Sequence, residues 1–177
     1  MSVATTLPVL LIVASQGYQP IEYTTPKNIL EKEGIKVVTA SNKPGTATAS
    51  NGWTTTVDIT TDKIHMKDYA GIFIVGGPGA LEHLDNETTY KLIKQAAELK
   101  KPFGAICIST RILAKAGVLE NKKVTGWNGD NELDDVLKKH KAIYVKEKCV
   151  VDGNIVTATD PNAAQLFGQN IISVLKK

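Results

Sequence analysis

The chain has 177 residues, 42% of them hydrophobic and 22% charged, with 21 basic against 18 acidic side chains for a formal net charge of +3. That length suits one domain spanning 1–177 around one core, and the composition excludes a disordered or fibrous chain. The charge is too mild and the lysines too scattered for a nucleic-acid partner, and two cysteines are too few for a disulfide framework. Free thiols then point to a reducing compartment, the cytoplasm.

Pro8–Ala14 is an apolar run with no basic residue before it and no cleavage-like site after it. It is too short to span a bilayer, so no membrane partner is expected. Within it, Val9–Ala14 predicts a strand covered on both faces. Ser15–Pro20 follows as a loop, Ile21–Glu33 as a helix stopped by Gly34, and Ile35–Ala40 as a second strand. Ser41–Gly52 is rich in Asn, Gly, Thr and Pro and predicts a loop, while Trp53–Ile59 suits a short strand or hairpin arm. Ala70–Val75 is a strand broken by Gly76-Gly77-Pro78-Gly79. Glu87–Lys100 carries Leu92, Ala96 and Leu99 on one helical face. Phe103–Ile106 predicts a strand, Ser109–Ala116 a helix ended by Gly117, Lys123–Thr125 a short strand and Glu132–His140 a short helix. Ala142–Val151 and Ile155–Ala158 form a strand pair around Asp152-Gly153, and Asn162–Leu175 closes the chain as a helix. Alternating strands and helices predict a doubly wound, mostly parallel sheet with helices on both faces, a flavodoxin-like three-layer sandwich. Sites in such folds form outside the carboxyl ends of the strands.

Three loops meet that edge. In KPFGAICISTRILAKAG, Cys107 stands where a strand must turn abruptly into a helix, the arrangement of a nucleophile elbow with Cys in the place of Ser. Backbone N–H groups at the helix start favour a thiolate and can hold an oxyanion. A small buried apolar cysteine gives the same pattern, and the residues alone leave the two readings level. The glycine pair Gly76-Gly77 allows close backbone approach to a ligand, but it lacks the spacing and the Lys-Ser/Thr of a phosphate loop and is equally an ordinary turn. Glu22, if buried beside a thiol, can hydrogen-bond a thiolate or move a proton; in the first turn of a helix it is also simply favoured by the dipole. His65, His83 and His140 have no metal-ligand spacing, so neither a metal nor a cofactor is expected. Cys149, in EKCVVDG, suits an edge strand and an unpaired structural thiol.

Together these loops resemble the ThiJ/PfpI superfamily, which includes intracellular proteases, glyoxalases and the Parkinsonism-associated deglycase. The resemblance runs from about Val9 to Leu175 and is carried by GYQPIEYTTP, IFIVGGPGALEHL, GAICISTRILAKAGVL and KCVVDGNIVTATDP. It implies Cys107 as nucleophile, Glu22 as its acidic partner, backbone oxyanion donors at Gly76, Gly77 and Ile108, and a homodimer or larger homo-oligomer. Two departures matter. Ile108 stands where the protease-like branch has a His, and Trp127 where the deglycase-like branch has one. Thr159 and Asp160 occupy the region of the family's arginine. Trp127 is expected to wall the pocket, with Asn128 and Ser109 lining it and Asp130 or Glu132 nearby. The resemblance implies action on small carbonyl or acyl compounds, glyoxalase-, deglycase- or amidase-like. The alternatives are redox sensing through Cys107 oxidation, or a non-catalytic member that has lost both histidines.

Overall fold

The computed structural model describes residues 7–177. In chain order the first half contains β1 (Val9–Val13), β2 (Gln16–Tyr18), α1 (Pro20–Lys32), β3 (Val37–Ser41), β4 (Gly45–Ala49), β5 (Thr54–Val57), β6 (Ile59–Thr60) and β7 (Gly71–Ile74). The second half contains α2 (Ala80–Leu84), α3 (Glu87–Glu98), β8 (Phe103–Ile106), α4 (Thr110–Lys115), β9 (Lys123–Val124), α5 (Leu133–Lys139), β10 (Ile143–Tyr144), β11 (Cys149–Asp152), β12 (Ile155–Ala158) and α6 (Ala164–Leu175).

The main sheet has seven strands in the order β11-β12-β8-β7-β1-β3-β6. Every pairing is parallel except the edge pair β11–β12. β1, β7, β8 and β12 are buried along their whole lengths, as continuous apolar runs in a sheet covered on both faces must be. Register pairs Ile12 with Ile74, Ile74 with Ala105 and Ala105 with Thr157, so the carboxyl ends of four strands finish level at one edge. α1 packs with α6, and α4 with α3 and α5. The approach of α6 to α1 is close because residue 168 is glycine: a Cβ there would lie 3.0 Å from Pro26 Cα. Phe167 on α6 meets Phe73 on β7 edge to face, with ring centroids 6.1 Å apart.

The doubly wound architecture is the one expected, but five details differ. The 15–20 segment, expected as a loop, contains the three-residue strand β2, held by its pairing with β4 rather than by any apolar pattern of its own. The 41–52 segment contains β4, which joins β2 and β5 in a separate three-stranded sheet. Its threonines and alanines pair well as a strand, yet too little of it is apolar to show alternation. α2 follows the glycine loop, unforeseen in the sequence. The 142–151 strand is two strands, interrupted by the charged Lys146-Glu147-Lys148. β10 pairs with β9 in a small sheet of its own, tied to the main sheet where the Thr125 N–H donates to Thr157 Oγ1 at 2.9 Å. Both cysteines are free, and among the described residues no helix is long and apolar enough to cross a membrane.

Phe167 is fully buried and fixes α6, and through it α1, against the sheet. Phe167→Ala is expected to lower stability by about 3–5 kcal/mol, read as a lower urea midpoint.

Candidate active site

Cys107 has φ +65°, a left-handed backbone rare for a residue with a side chain. β8 ends at Ile106, a single 3-10 turn spans Cys107–Ser109, and α4 begins at Thr110. The turn is over-determined by its surroundings. The Trp127 N–H donates to Cys107 O at 3.1 Å, Ser109 Oγ donates to Val75 O at 2.8 Å, and Thr110 Oγ1 donates to Thr125 O at 2.9 Å. The chain therefore reverses from strand to helix in one residue and leaves the thiol at the lip of the sheet, half-buried.

The glycine loop makes room for this. A Cβ on Gly76 would lie 2.5 Å from Cys107 Cβ and 2.6 Å from Glu22 Oε2, so only glycine lets the three segments meet. Gly77 has φ +117°, and any side chain on it would collide with the Gln19 backbone. Backbone bonds from Gln19 N–H to Gly76 O, 2.9 Å, and from Gly79 N–H to Gly17 O, 3.0 Å, zip this loop to the segment that starts α1. Gln19 caps that helix, its Oε1 accepting from the Ile21 N–H at 3.0 Å. The zip and the cap together deliver Glu22 from the first turn of α1 into the site.

Glu22 is 0% exposed. Oε2 accepts from the Gly76 N–H at 3.0 Å, whereas buried Oε1 has no such partner among the described residues. Burial pushes the carboxyl up to about 7; hydrogen bonding with the Cys107 thiol and the Gly76 N–H opposes this, and the Asp160 charge adds to it. Burial, then the Glu22 charge, pushes the Cys107 thiol up to about 12, while the Ile108 and Gly77 N–H groups pull it back. Two groups coupled this tightly titrate as a pair. The first proton leaves the pair near neutrality, and the second is held far above it. Between these two steps, above pH 7, the pair thus holds one proton and one negative charge. Transfer of the proton to Glu22 exposes a thiolate with N–H donors on either side.

Over the pair lies a cavity of about 320 Å³ lined by Gln19, Glu22, Gly77, Pro78, Cys107, Ile108, Trp127, Asp160 and Pro161. Of the residues expected here, Cys107, Glu22, Gly77, Ile108 and Trp127 come together. Three do not reach the cavity. Gly76 lies beneath it, its N–H given to Glu22 rather than free for an oxyanion. Ser109 is fully buried with its hydroxyl on Val75 O. Asn128 turns away because its Oδ1 accepts from the Leu133 N–H at 2.9 Å, at the start of α5. His65, His83 and His140 do not line the cavity, which therefore holds no imidazole base.

Sequence reasoning passed over Gln19, Pro78 and Pro161, whose roles come from position rather than residue type. It also missed Arg111. This side chain is 3% exposed, with Nη2 on Asp130 Oδ1 at 2.5 Å and Nη1 on Glu132 Oε2 at 3.3 Å. Its Cζ lies 5.7 Å from the Trp127 ring centroid. Asp130 and Glu132, expected as neighbours of Trp127, thus act on it through Arg111. A buried-face arginine on α4 followed by a Trp-x-x-Asp-x-Glu loop is the signal that was present.

A strained cysteine turn at the carboxyl edge of a doubly wound sheet, coupled to a buried carboxyl, defines an α/β protein of the cysteine-elbow class. The chain matches the DJ-1/PfpI family over residues 8–174, and it belongs to that family. It is 36% identical over 170 residues to an uncharacterized protein of Methanocaldococcus jannaschii, covering 96% of this chain and 82% of that one. It is 28% identical over 167 residues to a deglycase of Pyrococcus horikoshii, covering 94% and 99%. Among solved structures, a ThiJ/PfpI domain protein from Brachyspira murdochii superposes with a TM-score of 0.90 at 29% identity, covering 96% of each chain. Schizosaccharomyces pombe DJ-1 shares the fold with a TM-score of 0.82 at 24% identity, covering 94% of this chain and 90% of that one.

Raising the Glu22 carboxyl from 4.5 to about 7 makes the folded state hold a proton that the unfolded chain has already lost. The stabilising difference is fully present below pH 4.5 and disappears as the pH rises to 7, with a slope of at most about 1.4 kcal/mol per pH unit. Glu22→Gln, which cannot ionise, is expected to flatten that slope and to be the more stable form at pH 8. Urea unfolding of both chains between pH 4.5 and 8 checks this.

Proposed function

We propose that this protein is a cytoplasmic, homo-oligomeric enzyme acting on small carbonyl compounds, 2-oxoaldehydes and their amine adducts foremost. Cys107 is the nucleophile and Glu22 the group that moves protons. The observation that carries this is the buried Glu22 carboxyl set beside the Cys107 thiol, with one proton to move between them, at the floor of a cavity that no histidine among the described residues lines. Relatives named deglycases support the substrate class.

The chemistry follows from that one proton. Thiolate Sγ adds to the aldehyde carbon, and the carbonyl electrons move to an oxygen held by the Gly77 and Ile108 N–H groups. Glu22 gives its proton to that oxygen and is left as a carboxylate. It then takes the hydrogen of the former aldehyde carbon as a proton, giving an enediolate, and returns it to the neighbouring carbon, while the proton on the first oxygen passes to the neighbouring oxygen, which leaves a 2-hydroxy thioester. Water cleaves the thioester to a 2-hydroxy acid and the free thiol. The net change is addition of one water to the aldehyde. Peptide hydrolysis fits less well, since expulsion of an amine usually employs an imidazole acid.

Turnover of methylglyoxal to lactate, followed by proton NMR, tests the proposal. Cys107→Ser is expected to abolish it and Glu22→Gln to lower kcat by about 10²-fold or more. Unchanged turnover in Glu22→Gln would remove Glu22 from the mechanism. No turnover of any 2-oxoaldehyde or glycated amine by the native chain would leave a non-catalytic member of the family.

The same donors favour a second reading. The Ile108 and Gly77 N–H groups and a protonated Glu22 surround Sγ, and this set suits a sulfinate formed by peroxide. Mild peroxide should then oxidise Cys107 selectively by mass spectrometry. Equal oxidation of Cys149 would argue against sensing.

A further inference from the structure

Resting on the reading of the site given above, we propose that the pocket selects uncharged or cationic carbonyl compounds bearing a flat apolar group and rejects anionic ones, with Trp127 as the specificity-determining wall. The charge preference comes from the cavity lining. Among the described residues, the ionisable groups on the cavity surface other than the thiol are Glu22 and Asp160, both acidic, and no lysine, arginine or histidine lines it. Arg111 lies nearby, but both of its terminal nitrogens are taken by Asp130 and Glu132, and its buried guanidinium stands against the Trp127 ring. An entering anion therefore meets two carboxyl groups in a partly desolvated site with no counter-charge, and like charges repel strongly there. A cation meets the reverse.

The preference for a flat apolar group comes from the walls, independently of charge. Pro78, Ile108, Trp127 and Pro161 give the cavity its apolar surface. The indole is held from several sides. Its backbone N–H is bonded to Cys107 O, the Arg111 guanidinium is drawn up to its ring, and Gly129 lies so close that any Cβ there would collide with it. A rigid aromatic face beside the reactive sulfur is prepared for offset stacking at little entropic cost. The volume of about 320 Å³ leaves room for a ring beyond a three-carbon aldehyde. Arg111 is thus a positioning residue that acts through Trp127, and Asp160 the residue that sets the charge preference.

Alkylation of Cys107 tests this without any need for turnover, so the selectivity and the enzymatic reading fail separately. Iodoacetamide, iodoacetate and N-phenyliodoacetamide are compared on the folded chain by peptide mass spectrometry, with Cys107 of the urea-unfolded chain as the unselective reference. Relative to that reference, folded Cys107 is expected to disfavour iodoacetate against iodoacetamide by about tenfold or more and to favour the phenyl amide by about tenfold. Asp160→Asn should restore several-fold of the iodoacetate rate, and Trp127→Ala should erase most of the phenyl preference. Ratios equal to those of the unfolded chain, ratios unmoved by both variants, or failure of folded Cys107 to react with the phenyl amide would each overturn the proposal.

Discussion

The Glu22 carboxyl is taken out of water at the first turn of α1, and one of its oxygens is satisfied by a single backbone N–H, that of Gly76. That contact sets the terms for everything around it. It demands a residue without a side chain at 76, because the carboxyl and Cys107 Cβ together fill the space a Cβ would need. It also fixes how closely the loop after β7 must lie against the segment that begins α1, which the backbone bonds between Gln19 and Gly76 and between Gly79 and Gly17 accomplish. The left-handed turn at Cys107 then brings the sulfur to the same point from the neighbouring strand. A buried carboxyl and a half-buried thiol in such proximity cannot both ionise near neutrality, and the titration of the site is set by that frustration.

Trp127 changes how the frustration is resolved. A basic side chain there would share the work of moving protons; an indole cannot. In the proposed mechanism proton handling falls to Glu22, whose raised titration suits an acid and a base in turn. A nearby cation, Arg111, is present but engaged elsewhere. Arg111 is buried behind the indole and neutralised by two carboxylates, so its charge is spent on holding the wall in place.

The fold was largely legible because strands covered on both faces must be continuously apolar, and VLLIV, GIFI, FGAI and IVTA are. Cys107 and the glycine loop were legible because each follows such a strand directly. Of the β4–β5 hairpin only the second arm was, within Trp53–Ile59; β4 was not, since a small sheet with one face in solvent needs few apolar residues, and its threonines read equally well as loop. Ser109 and Asn128 were misplaced for a common reason: proximity in sequence to Cys107 and Trp127 says nothing of which way a polar side chain turns. Both spend their hydrogen bonds on holding backbone. Asp160 and Pro161 reach the cavity only because β12 pairs beside β8, a long-range fact that no local pattern encodes.

That late arrival of β12 bears on the protein's synthesis. Cys107 leaves the ribosome well before the strand that brings Asp160 and Pro161 over it, and before α6, the helix against which α1 packs. Until those segments dock, the face of the site that Asp160 and Pro161 line is missing and α1 lacks the helix it packs against. The surroundings proposed to tune Cys107 and Glu22 are therefore completed by segments made long after both residues, which couples the site to the folding of β12 and α6.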